Sequence, residues 1–473
     1  MTQTSSGVEI GYMPATRMAE AIRRKELSPV EIVRAVLDRI ERFDPALNAF
    51  VTVTADAALG QAREAEQAVM RGDPLGALHG VPVSLKDSMA TAGVRTTLGS
   101  KMFSSFVPTE DAPLVERLRR AGGIAIGKTA MPEFAWKAVT DSPLQGITRS
   151  PWNLDYSPGG SSGGASAQIA GGMGPLAAGT DGGGSIRVPA SFTGIYGIKP
   201  SFGRIPVYPS SAFDALSHPG PLTRTVADAA LFLSVVAGPH PADRMSLEGE
   251  PRDFAGDLGR SMKGLRIAWC PSFGRAPDPI VLQTTRAAAL AFSELGAEVE
   301  ETEAEFGDST DLYRVILQIG AAASIDGFLA THRDDLDPGL VNFAEGARRL
   351  SAIDFAKAQV ARNAFYDRVR RFFERFDLLL TPTVPILPLK AGTSSDKPGS
   401  LGEDWIEWSP YTFPFNLTHL PAASVPAGWS PEGLPIGLQI VGRRFDDLTV
   451  LQASAAFEAA RPWAHRRPAL TST

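Results

Sequence analysis

The chain has 473 residues, 44% apolar and 21% charged, with a net charge of −6. A length above the roughly 250–300 residues that one core usually serves predicts two domains or one large α/β body, and the ordinary globular composition leaves little room for long disorder. Interspersed charge without a basic stretch argues against a nucleic-acid partner, and a single cysteine, Cys270, excludes an internal disulfide and leaves no Cys/His group with zinc spacing.

The N-terminus lacks the apolar core of about 7 to 15 residues that marks a secretory signal. No apolar run approaches the roughly 18 residues needed to span a bilayer, so the expected compartment is the cytoplasm. The first 75 residues read as helices. Ser28-Pro29-Val30-Glu31 is a capping box, with Ser28 as N-cap and Glu31 reaching back to it. Ile32, Val33, Val36, Leu37 and Ile40 then share one face. A second helix, Ala55 to Arg71, is stopped by Gly72, with Pro74 beyond.

From Gly80 the pattern changes to a short strand with Val81, Val83 and Leu85 on one side and Lys86 at its end. A lysine there is ordinarily a surface charge, because lysine is seldom buried unpaired. Leu114 to Ala121 predicts a helix, Ile124 to Ile126 a strand, and Thr223 to Val236 a helix entered through Pro219-Gly220-Pro221. Gly238 to Gly264 reads as a linker or excursion. Beyond it, strands are expected at Leu265 to Trp269, Ala297 to Thr302, Phe376 to Pro382, Ala422 to Val425 and Ile436 to Val441. Helices are expected at Ile280 to Leu295, Asp311 to Thr331, Ala352 to Phe376 and Leu448 to Ala460, with a polar loop from Lys390 to Glu403. Strand and helix alternating over this length imply an α/β fold around a largely parallel or mixed sheet.

Glycine and serine are densest between Ser157 and Pro189. Gly159-Gly160-Ser161-Ser162-Gly163-Gly164 and Thr180-Asp181-Gly182-Gly183-Gly184-Ser185-Ile186-Arg187 each set a serine among glycines. Such runs are often plain linkers, but here apolar helix-compatible pieces alternate with glycine corners, and Asp181 and Arg187 flank Ser185. Glycine lets backbone amides converge on one point. Three glycines before Ser185 could present N–H groups to a carbonyl that its hydroxyl attacks, as an oxyanion hole requires.

Two patterns point elsewhere. Gly122 to Thr129, GGIAIGKT, satisfies the phosphate-loop spacing, yet a helix precedes it and Ile124-Ala125-Ile126 belongs in a strand. Gly160 to Gly164 fits the G-x-S-x-G nucleophile elbow with Ser162 as nucleophile. Pro158 and two glycines stand where that elbow needs a strand, and none of the six histidines sits in a pattern marking a general base.

GVPVSLKDS around Lys86, GKTAMPEF, SPLQGITRSPWN, SPGGSSGG, GTDGGGSIRVPASFTGIYGIKPSFGRI, GPLTRTVAD, DLLLTPTVP and LPAASVPAGWSPEGLPIGLQIVG together closely resemble the amidase signature family of serine hydrolases. The resemblance runs through most of the chain. It implies a triad of Lys86, Ser161 held by a cis peptide, and the nucleophile Ser185, and the 24-residue separation of the two serines matches the family's. It further implies an oxyanion hole at Gly182, Gly183, Gly184 and the Ser185 amide, a buried structural pair of Asp181 and Arg187, and an acyl pocket bordered by Ala135 and Trp136. One departure is visible: relatives commonly carry a larger residue, such as threonine or isoleucine, where this chain has Gly182.

The implied architecture is one compact α/β domain on a mixed sheet of about eleven strands sandwiched between helices. Residues 1–75 would wrap it, 76–230 form the signature core, and 231–473 complete the sheet and the pocket loops. A desolvated lysine can deprotonate a serine if its pKa falls from about 10.4 toward neutrality. The implied activity is hydrolysis of hydrophobic or aryl amides, with carbamates (urethanes) and esters open to the same nucleophile. Trp136, Trp405, Trp408 and Tyr411 are the aromatic candidates for the pocket. The expectation is no cofactor and no metal, a small-molecule amide or carbamate as partner, and neither nucleic acid nor membrane; a homodimer is left open. Two other classes remain: an A-type amidotransferase component supplying ammonia for aminoacyl-tRNA, and a binding protein on an inactive amidase scaffold.

Overall fold

The computed structural model describes residues 5–213, 215–249, 252–273, 275–393 and 405–470. Thirteen strands are present among them: β1 (Phe50–Val53), β2 (Pro82–Lys86), β3 (Ile124–Thr129), β4 (Asp141–Ser142), β5 (Gly146–Ile147), β6 (Leu176–Asp181), β7 (Tyr196–Lys199), β8 (His218–Thr223), β9 (Arg266–Trp269), β10 (Glu298–Glu301), β11 (Leu378–Pro382), β12 (Ala422–Trp429) and β13 (Pro435–Gly442). Eleven of them form one sheet in the order β1-β3-β2-β6-β8-β7-β12-β13-β11-β9-β10; β4 and β5 pair separately. The sheet is mixed. β3, β2 and β6 run parallel, as do β11, β9 and β10, while the strands between them pair antiparallel.

Side chains alternate across a strand, and here the two faces feed different cores. Val83 and Leu85, with Ile267, Trp269, Leu378, Leu380, Leu438 and Ile440, bury against helices Val226–Val236, Pro279–Glu294 and Asp447–Ala460. The opposite face, including Ala268, Leu379 and Val441, meets helices Thr310–Leu329 and Ala352–Arg375. Ala177 and Leu222 on that face meet the short helices Gly163–Ala170 and Arg187–Thr193. Helix Thr310–Leu329 has the length and composition of a bilayer-spanning segment, but Tyr313, Ile316, Leu317, Gly320, Ala321 and Ile325 are buried within the protein.

The expected capping box is formed: the Ser28 hydroxyl accepts from the helix backbone and the Ser28 N–H donates to Glu31 at 2.9 Å. Gly72 ends its helix in the left-handed region at φ 78°. The first 75 residues are not all helical, because Phe50–Val53 pairs antiparallel with β3 as the edge strand. Thr223 belongs to β8, and the next helix begins at Val226, where the Thr225 hydroxyl accepts from the Asp228 N–H at 3.2 Å. Pro219 and Pro221 are tolerated inside β8 because β7 reaches only Leu222 and Thr223. The segment expected as a linker packs instead: Phe254 is buried and the Leu247 N–H donates to Gly203 at 2.8 Å. Most of the expected polar loop from Lys390 to Glu403 lies outside the described residues.

Candidate active site

β2 lies between β3 and β6, so both edges of its backbone are paired and every residue in it is buried. Ser84 and Lys86 point to the face opposite Val83 and Leu85. Ser84 donates to Gln168 of helix Gly163–Ala170 at 3.0 Å. Lys86 is fully buried, and its Nζ reaches Ser161 Oγ at 2.6 Å, Thr180 Oγ1 at 2.9 Å and the Thr180 carbonyl at 3.5 Å. Among the described residues no carboxylate pairs with it directly. Burial, partly opposed by the charge on Asp181, lowers its pKa from 10.5 to about 7.

Two more lysines are buried in the sheet. Lys128, in the phosphate-loop-like run, is bonded to Thr91, Thr96 and the Met89 carbonyl inside a fully buried strand, so no phosphate-binding loop exists there. Lys199 donates to the Pro200 and Leu420 carbonyls. Of the three, Lys86 alone is bonded to side-chain hydroxyls, those of Ser161 and Thr180, that line a cavity.

The Gly160–Ser161 peptide is cis. A Cβ on Gly160 would lie 2.6 Å from the Val139 backbone, so that position admits only glycine. Ser162 is buried, its hydroxyl engaged with the Thr180 backbone at 3.2 Å, and it does not line the cavity. The elbow reading therefore loses its nucleophile.

Ser185 follows β6 and lines the same cavity as Ser161. Its carbonyl accepts from the Ser162 N–H at 3.2 Å, and its hydroxyl has no hydrogen-bond partner among the described residues. The loop before it has every carbonyl tied back. Asp181 O accepts from Asn416 Nδ2 at 2.8 Å, Gly182 O from the Tyr313 hydroxyl at 3.0 Å, Gly183 O from Thr412 Oγ1 at 2.6 Å, and Gly184 O from the Val188 N–H at 2.7 Å. The amides of Gly182, Gly183 and Ser185 donate to nothing among the described residues. Gly184 departs from the expected grouping, because its N–H is taken by Asp181 Oδ1 at 2.7 Å.

Asp181 and Arg187 are both fully buried and meet at 2.8 Å. The carboxylate also accepts from the Ile186 N–H at 3.1 Å and Asn416 Nδ2 at 2.9 Å. Arg187 continues to Thr412 O, Gln439 and Asn416. Burial alone would raise the Asp181 pKa, but the Arg187 guanidinium outweighs it and holds the carboxyl well below the usual range.

The cavity measures about 270 Å³, and among the described residues none that lines it carries a charge. Ala135 lines it with φ 60°, beside Phe134 at φ 49°; Trp136 does not, since its ring is buried against Phe343 at 5.9 Å. Of the other aromatic candidates Trp405 lines the cavity, Trp408 stacks on Phe192, and Tyr411 donates to the Arg275 carbonyl. Thr180, Tyr313, Thr412 and Asn416 are brought to the site without having been singled out in the sequence. Thr180 carried a signal, one residue before Asp181 in the glycine run; the other three lie 125 residues or more beyond Ser185 and carried none. No histidine lines the cavity, and no group of three or more His, Cys, Asp or Glu could hold a metal among the described residues.

A model of the Amidase family matches residues 31–451. The chain is 39% identical to an acylamidase of Rhodococcus erythropolis over 97% of both chains. It is 37% identical to the A component of the glutamyl-tRNA(Gln) amidotransferase of Moorella thermoacetica over 98% of this chain and 99% of that one. Its backbone superposes on the crystal structure of a bacterial aryl acylamidase with a TM-score of 0.89 at 34% identity, covering 96% and 97% of the two chains.

Proposed function

Because this chain belongs to the amidase signature family and is a hydrolase of carbon–nitrogen bonds, we propose that it cleaves hydrophobic and aryl amides, with carbamates and esters as further substrates, through an acyl-enzyme on Ser185. Ser185 Oγ attacks the carbonyl carbon while its proton passes through Ser161 to neutral Lys86. The developing oxyanion is held by the free amides of Gly182, Gly183 and Ser185. The C–N bond then breaks, and the proton returns through Ser161 to the leaving nitrogen, which departs as a neutral amine. Water attacks the resulting ester by the same relay and releases the acid. Asp181 and Arg187 hold the loop in shape and take no part in proton transfer.

The observation that carries this reading is the uncharged lining that the described residues give the cavity around Ser185. Its walls include Met89, Leu98, Leu114, Phe134, Leu317 and Trp405, which suit an apolar or aromatic substrate. The likeness to the amidotransferase component supports a second reading, release of ammonia for a partner enzyme. A donor such as free glutamine would bring an ammonium and a carboxylate into a cavity whose described lining offers neither a countercharge. A panel of p-nitroanilides, aryl carbamates, acetamide and glutamine decides between them. Aryl substrates are expected to give the highest kcat/KM; fastest turnover of acetamide or glutamine would overturn the proposal.

A further inference from the structure

Gly182 and Gly183 flank one peptide unit, and neither carries a Cβ to hinder its rotation. The C=O and N–H of a trans peptide lie in one plane and point opposite ways, so whatever holds the Gly182 carbonyl also aims the Gly183 N–H. What holds it is the Tyr313 hydroxyl, at 3.0 Å. The phenol itself is immobilised: its ring stacks on Phe413 at 4.6 Å, meets Trp405 edge-on at 5.9 Å, and is 1% exposed. A Cβ on Gly183 would come within 2.0 Å of the Tyr313 oxygen, so the glycine there makes room for this contact.

Tyr313 differs from the other groups that hold the loop. Asn416 and Thr412 are buried and do not line the cavity, whereas Tyr313 does, together with Leu317 and Ser324 of the same helix, Thr310–Leu329. A substrate packed against that helix leans on the residue that aims the amide. We propose that Tyr313 is a positioning residue whose hydroxyl keeps the Gly183 N–H directed at the carbonyl oxygen under attack, coupling a filled cavity to an aligned oxyanion hole. This rests on the acyl-enzyme reading above.

Tyr313→Phe keeps the ring and removes only the hydroxyl. Deleting an oxyanion donor outright lowers kcat by about 10²- to 10³-fold; loosening one is expected to lower kcat on a p-nitroanilide by about tenfold. KM should stay within about twofold. The affinity for a trifluoromethyl ketone carrying the same acyl group, which forms a tetrahedral oxyanion adduct, should fall by about the same tenfold. The affinity for the corresponding methylene compound, which lacks the carbonyl, should not change. Unchanged kcat and ketone affinity would overturn the proposal, as would a loss confined to KM and thermal stability, which marks a merely structural tyrosine. If the wild type hydrolyses no anilide, carbamate or ester and Ser185 takes no covalent label, the acyl-enzyme reading fails and the positioning role falls with it.

Discussion

A primary amine in water is protonated at neutral pH and cannot accept a proton from serine; Lys86 escapes this because β2 carries it into the middle of the sheet. With its pKa brought from 10.5 to about 7 by burial, the neutral form is the minority below that value and the majority above it. The kcat/KM for a p-nitroanilide should therefore rise about tenfold per pH unit below neutrality and level off above, with a midpoint near 7. Lys86→Ala should lower kcat by about 10²- to 10⁴-fold, the usual worth of a general base. Lys86→Arg should not restore it, since a guanidinium stays protonated. A flat profile, or loss of activity on replacing a histidine instead, would contradict the assignment. The sequence does not separate Lys86 from Lys128: one ends a short buried strand and the other stands next to the end of one. Desolvation depends on which strands pair on either side, and only the family motif around GVPVSLKDS singled this lysine out.

At the scale of the loop, the three glycines before Ser185 are not equivalent. A Cβ on Gly182 would meet nothing within 4 Å, whereas one on Gly183 would strike Tyr313, and one on Gly184, at φ 134°, would lie 2.5 Å from Thr412. Gly182→Ala should fold normally and keep small-acyl anilides within about twofold, while a bulkier acyl group loses about tenfold or more, the worth of a crowded methyl in a pocket. Gly183→Ala should destabilise by about 1–3 kcal/mol and lose activity on every substrate. Chemical denaturation and an acyl-length series check both; equal behaviour of the two variants would sink the distinction. Long helices and central strands with clear periodicity were legible, among them Ala352–Arg375 and β11. Four strands of the large sheet were not, nor were the two-residue β4 and β5. β1 and β7 are only four residues long, too short for an alternation to stand out; β6 is rich in small residues, and β8 holds two prolines. Trp136 was misplaced for a related reason: the paired left-handed turns at Phe134 and Ala135 put those two at the cavity and carry the tryptophan ring past it.

Across the whole molecule, eleven strands gather groups that stand far apart in the chain: Lys86, Ser161, Thr180 to Ser185, Tyr313 and Trp405. Ser161 and the run from Thr180 to Ser185 were readable because glycine and serine cluster around them, and Lys86 only through the family motif. Trp405 was one of four aromatics offered for the pocket and is the one of them that lines it; Tyr313 was not readable as a site residue, since an aromatic in a helix looks the same whether it faces a core or a cavity. The assignment of Ser185 as nucleophile, with Lys86 as its base, is tested most directly by covalent labelling. An aryl fluorophosphonate added to the wild type, Ser185→Ala and Lys86→Ala proteins, followed by proteolysis and mass mapping, should place a single adduct on Ser185 in the wild type. Labelling should be absent in Ser185→Ala and markedly slower in Lys86→Ala. An adduct on Ser162, or a labelling rate indifferent to the loss of Lys86, would contradict it.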